Sequence, residues 1–211
     1  LRILDSRIKR LPNDIKIGKS LIIVDSDLEE LPQNLYVPDD LRISGCKNIK
    51  ELPKKLYVGG SLVAPRTGLI SFPTYIKFEK SIYIDDTEIK NLPNNLTVHG
   101  SLSISNTEIK RLPDDIVIEE SLDASNSKLE YLPDNFTVGN FLNISGCKNL
   151  KELPKNLKIG GSLYIDDTNI KRIPDDTQFS FGLNAMNSKL EYLPDNIELR
   201  GNLKISSTNV R

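Results

Sequence analysis

The stretch Ser101-Leu102-Ser103-Ile104-Ser105-Asn106-Thr107-Glu108-Ile109-Lys110-Arg111-Leu112-Pro113 decides the fold, because its pattern returns in every coil before and after it. Leu102 and Ile104 stand two apart, so both point to one face of a short strand while Ser103 points to the other. Thr107 turns the chain, and Ile109 and Leu112 bury a second side. Pro113 closes regular hydrogen bonding there, since its ring fixes φ and it has no amide to donate. In the preceding coil Leu96 and Val98 form another extended apolar pair before Gly100 turns into the strand.

Outward from this coil, the Leu-Pro-like step recurs at Pro12, Pro32, Pro53, Pro73, Pro93, Pro113, Pro133, Pro154, Pro174 and Pro194, at intervals of 20 or 21 residues. Leu precedes these prolines except at Phe72 and Ile173. A fixed period of this size along a whole chain marks a solenoid whose coils contact only their neighbours. One coil alone buries too few apolar side chains to offset the entropy of fixing its backbone, so the coils must stack. Strands are predicted to start at Leu1, Leu21, Leu41, Leu62, Ile82, Leu102, Leu122, Leu142, Leu163, Leu183 and Leu203. At ~4.8 Å per strand the stack is about 48 Å long. Residues 1–211 thus read as a single repeat domain of about ten coils.

The place of Thr107 runs Ser6, Ser26, Cys46, Thr67, Thr87, Thr107, Ser127, Cys147, Thr168, Ser188, Thr208. Each is small and can hydrogen-bond backbone groups that the turn leaves unpaired. With Leu-x-x-Leu-Pro, this pattern resembles the leucine-rich repeat class, especially the short LPX-type repeats of bacterial secreted effectors. It is also similar to LPxxLxVxGxLxLSxT repeats of bacterial and phage proteins. The resemblance spans the whole chain and implies a right-handed coil stack with one parallel sheet, used for protein binding by a bacterial or phage-encoded effector or recognition protein. No ubiquitin-ligase domain of the kind some such effectors carry is matched. One departure points to a flattened parallel β-solenoid as the alternative fold. Three residues before Leu102, where the class has leucine, stands His99, and Val98 takes over its packing.

A net charge of −1 gives no bulk electrostatic footprint for nucleic acid or an anionic membrane. No apolar run approaches the ~20 residues of a membrane-spanning helix. The chain starts without Met on Leu1-Arg2-Ile3 and stops just after Val210 in mid-coil. Solenoids need polar end caps, so we expect a piece of a longer stack whose uncapped end coils are open to end-to-end self-association. Cys46 and Cys147 lie five coils apart, about 24 Å, beyond disulfide reach. Both are expected free, buried and inert, compatible with a cytoplasmic setting. Sequons at Asn95, Asn135 and Asn143 are read as chance in an Asn-rich repeat. Near-identical copies at 127–135 and 188–196, and at 45–54 and 146–155, point to recent expansion.

An enzyme would break the repeat, and the breaks are few. His99 is the one histidine, in a turn with no second His or Cys near, and reads as a surface residue. Asp39-Asp40, Asp85-Asp86, Asp114-Asp115, Asp166-Asp167 and Asp175-Asp176 are acidic pairs, but calcium needs several carboxylates converging on one point. No catalytic residue, metal site or cofactor is expected.

The outward residue of each strand forms a row: Ile22, Arg42, Val63, Tyr83, Ser103, Asp123, Asn143, Tyr164, Asn184, Lys204. The row varies while the flanking Leu and Ile do not, as on a recognition surface. Tyr83 and Tyr164 are amphipathic anchors of the type enriched at interfaces. Asp85, Asp86, Asp166 and Asp167 adjoin them as an acidic, aromatic strip. The candidate partner-binding residues are Arg42, Tyr83, Asp85, Asp86, Asp123, Asn143, Tyr164, Asp166, Asp167 and Phe181. A protein partner is expected, with no nucleic acid and no membrane. A second stripe, Lys9, Glu29, Lys50, Ile70, Lys90, Lys110, Glu130, Lys151, Lys171, Glu191, reads as a solvated edge with Lys151 set beside Lys171. Two coils deviate, at Ala64-Pro65-Arg66 and at Thr177 to Phe181, and Ile70, Phe141 and Phe181 are expected to be exposed.

Overall fold

The computed structural model describes residues 1–73, 77–195 and 197–208, and Val210 lies outside them. The chain winds as a parallel β-solenoid with two walls. The front wall is one eleven-stranded sheet, from Arg2–Leu4 and Leu21–Val24 through Leu102–Ser103 to Leu203–Lys204. Every strand pairs in parallel with the strand one coil away. The predicted starts hold except at the first coil, where the strand begins at Arg2.

The back wall comes from the x-Val-x segments. It divides into Tyr36–Val37, Tyr57–Val58 and Lys77–Phe78; Thr97–Val98 and Val117–Ile118; and Thr137–Val138, Lys158–Ile159 and Gln178–Phe179. This second wall puts short parallel strands on two sides of the coil. Two short extended segments per turn close a narrow tube, and both present alternate residues inward. Leu102, Ile104, Ile109, Leu112, Leu96 and Val98 are all buried, and one core runs through the stack.

Two backbone devices repeat in each coil. The first is the hydroxyl ladder. Thr67, Thr87, Thr107, Thr168 and Ser188 donate to the carbonyl three residues back, at 2.7–2.9 Å. Cys46 and Cys147 reach instead to the preceding coil, Sγ to Ile23 O at 3.5 Å and to Ala124 O at 3.0 Å. The second is a left-handed residue just before the ladder place: Asp5, Asp25, Arg66, Asp86, Asn106, Asn126, Asp167, Asn187 and Ser207, with Gly45 and Gly146 in the two cysteine coils. Asn, Asp and Gly tolerate this conformation best. A side chain on Gly146 would also collide with the Asn126 carboxamide below it.

Both cysteines are free and buried. Desolvation pushes both thiols above their ordinary value of 9.0. The thiolate is the reactive form, so a disulfide-exchange reagent at neutral pH should leave the native protein untouched and titrate both thiols once it is unfolded. As pH rises past the ordinary value, unfolded thiols release protons that native ones retain, so stability falls. Urea melts on either side of that pH check the sign.

Candidate functional site

The front sheet sets one outward residue per coil in register, Ile22↔Arg42↔Val63↔Tyr83↔Ser103↔Asp123↔Asn143↔Tyr164↔Asn184↔Lys204. Arg42 and Lys204 are exposed and the others half-buried, between flanking positions that are buried in all coils but the last.

Several polar side chains of the row and beside it are already engaged within the protein. Arg42 Nη2 donates to Asp40 Oδ2 at 2.9 Å. Burial opposes the charge on Asp40, but the Ser61 amide and the Arg42 guanidinium outweigh it and hold the carboxyl below the usual range. Asp85 accepts from Ser105 N at 3.1 Å, from Ser105 Oγ at 2.7 Å and from the Ser103 hydroxyl. Asp166 accepts from Met186 N at 2.7 Å and from Ser145 Oγ at 3.2 Å. Asp123 accepts from Ser125 N at 2.9 Å and Asn143 Nδ2 at 3.2 Å, and Asn143 Oδ1 accepts from Ser145 N at 3.1 Å. These bonds join adjacent coils or close turns. Asp86 and Asp167 hold the left-handed turn place, at φ 54° and 55°.

Tyr83 and Tyr164 stand four coils apart, about 19 Å, with Ser103, Asp123 and Asn143 between them. The expected strip is therefore two separate places, and they differ. Tyr83 has Ser61 and Ser101 at the strand entries of the coils on either side of it. Tyr164 has Phe141, whose ring meets it edge-on at a centroid distance of 6.2 Å. Phe141 is half-buried, not exposed as expected, because this contact covers it. Beyond Tyr164 lies Phe181, 58% exposed. Between Tyr164, Phe181, Asn184 and Lys204 opens a cleft of about 100 Å³. Asn184 Oδ1 is buried without a hydrogen-bond partner.

The second stripe is organised by charge. Lys9–Glu29, Lys110–Glu130 and Lys171–Glu191 pair between coils at 2.9, 3.1 and 3.3 Å. The Glu29 carboxylate, by hydrogen bond and charge, raises the Lys9 pKa. At each of these steps the Glu amide also donates to the Lys carbonyl. Among the described residues no such bond links Lys171 N to Lys151 O, and a groove of about 870 Å³ opens there. Its charges are mixed, and Arg172 is already held by Asp175 at 2.6 Å. It therefore carries no one-signed field for a charged ligand.

Sequence reasoning overlooked three features. Tyr36 and Tyr57 stack on the back wall at 4.8 Å and 8°. Tyr131 and Tyr192 lie exposed beside Arg111 and Arg172, each joined by a parallel bridge. The signal was the residue between Leu and Val of the back segment, and the residue before Leu-Pro. His99 is exposed, its Nδ1 2.8 Å from Glu119 Oε1. Among the described residues no three His, Cys, Asp or Glu side chains gather in a way that would hold a metal.

The fold defines the class, a parallel β-solenoid of about 20-residue coils. Comparison with known proteins finds no family model and no curated protein that matches the chain.

Proposed function

We propose that this protein is a non-enzymatic recognition scaffold that binds a protein partner through its front sheet. The observation that carries the reading is the outward row itself. A buried frame of Leu and Ile repeats with little change, while the register-matched row runs from Arg42 through Tyr83 to Tyr164. Rigid strands present side chains at low entropic cost, and tyrosine contributes most where it is part-shielded already. The leucine-rich-repeat resemblance supports the same use, in a bacterial or phage-encoded effector or recognition protein.

A second reading has its own support: a structural spacer or fibre element. The bonds of Asp85, Asp123 and Asp166 within and between coils strengthen the stack whether or not anything docks on it. Affinity capture with the wild type and with Tyr83→Glu/Tyr164→Glu separates the two, provided the melting curves coincide. A partner held by the wild type alone is the expected result. Identical captures by both proteins would give the face to the spacer reading.

A further inference from the structure

The front sheet is continuous, but the back wall is not. Among the described residues its strands fall into sections of three, two and three, while the eleven front strands pair without a gap. The divisions come between Lys77–Phe78 and Thr97–Val98, and between Val117–Ile118 and Thr137–Val138. At a closed step two amides bond across. Val117 N donates to Leu96 O and Glu119 N to Val98 O, both at 3.0 Å, and Lys158 N donates to Phe136 O at 2.9 Å and Gly160 N to Val138 O at 3.0 Å. Among the described residues no such bond joins Thr137 N to Ile116 O, Gly139 N to Ile118 O or His99 N to Phe78 O. The turn that precedes these strands shows the same gap. Asp115 accepts from Asn95 N and Asp134 from Lys155 N on the neighbouring steps, and among the described residues no equivalent bond joins Asp115 to Asn135. On the front at these two steps, Leu62 N still donates to Ser81 O at 3.0 Å and Leu102 N to Ser121 O at 2.8 Å.

Phenylalanine marks each division. The two inward places of a back segment hold Leu, Ile or Val in most coils, as at Leu96 and Val98. Phe78 takes the valine place beside the first division, and Phe136 takes the leucine place beside the second. A third, Phe179, lies in the last strand of the wall. All three are buried, and Phe78 meets a further ring, Phe72, edge-on at 6.1 Å. A close-packed tube takes up the added volume of a ring by shifting backbone.

We propose that the two divisions are joints, at which the back wall opens while the front sheet serves as the hinge. Opening on the back tilts the stack toward the front and makes the front face concave. The second joint lies between the coils of Tyr83 and Tyr164, so it sets how those two rings are presented to a partner. That use rests on the recognition reading above, whereas the joints themselves rest on the wall's own hydrogen bonds.

The test uses the full chain. Hydrogen exchange followed by NMR should give the Thr137 and Gly139 amides protection about tenfold lower than Lys158 and Gly160, their bonded equivalents one coil on. Phe136→Leu, which restores the residue of other coils, should raise both about tenfold and leave the front-sheet amides of Leu122 and Ala124 unchanged. Bending is read by spin labels at Thr97→Cys and Gln178→Cys, both exposed on the back wall and about 19 Å apart across the second joint. The native cysteines are buried and stay unlabelled. A broad distribution of label distances that narrows when Phe136→Leu is added is expected. Equal protection at Thr137, Gly139, Lys158 and Gly160 in the wild type overturns the proposal, and that comparison needs no variant to fold. So does a Phe136→Leu protein, shown folded by its melting curve, whose exchange or label distances are unchanged. If the joints are found and affinity capture yields no partner, the device stands and only its use in recognition falls.

Discussion

Leu102→Ala is expected to destabilise the protein by about 2–5 kcal/mol, the range for truncating a fully buried leucine. Leu102 is 0% exposed and lies in register between Ile82 and Leu122, so its neighbours on both sides lose contacts. The same change at Leu203, 46% exposed in the last strand of the sheet, should cost well under half as much. The contrast follows from one-dimensional stacking, in which a central coil has two interfaces and the last described coil one. It also has a signature beyond magnitude. A weak central coil uncouples the two halves of a linear array, so the Leu102→Ala melt should broaden or divide where the Leu203→Ala melt keeps one transition. Urea unfolding followed by circular dichroism reads both. Equal costs at the two sites would contradict nearest-neighbour stacking.

Thr177→Leu is expected to stabilise the protein by about 2–4 kcal/mol. In the equivalent place three residues after proline the chain has Leu35, Leu56, Leu96, Ile116, Phe136 and Leu157, all buried. Thr177 puts there a hydroxyl that is buried with no partner. Removing an unsatisfied hydroxyl recovers about 1–3 kcal/mol, and the added methylene and methyl groups contribute the rest at ~0.8 kcal/mol each. Space is present, since Thr177 borders a groove of about 830 Å³ on the back wall. Thr177→Val, nearly the same shape, isolates the hydroxyl contribution. A gain in the valine variant with a loss in the leucine one would mean the coil is already full. Loss in both would mean the hydroxyl has a partner after all.

The same residues show how far the sequence could be read. Thr177 was visible as a break in the repeat, yet nothing in the chain says that its hydroxyl goes unpaired, because that depends on which coil lies above it. Asp85 and Asp166 read as surface charges beside tyrosines. Their role in bonding coils appears only when Ser105 and Met186, one coil further on, are set against them. Asp86 and Asp167 had the same look and turn out to be chosen by a left-handed backbone. Phe141 was legible as an aromatic out of place, but its covering by Tyr164 was not.

What the sequence determined alone was the periodic part: coil length, strand starts, the inward Leu and Ile, the hydroxyl ladder and the isolation of the two thiols. Each of these follows from spacing within one coil and from repetition, and both are local properties of the chain. What only the tertiary structure decided was every relation between coils. It set the pairing of the back-wall strands, the aspartate bonds along the face, and the cleft that Phe181 and Asn184 form beside Tyr164. Residues about twenty apart in sequence become neighbours ~4.8 Å apart in the sheet, and chemistry between neighbours cannot be read before they meet.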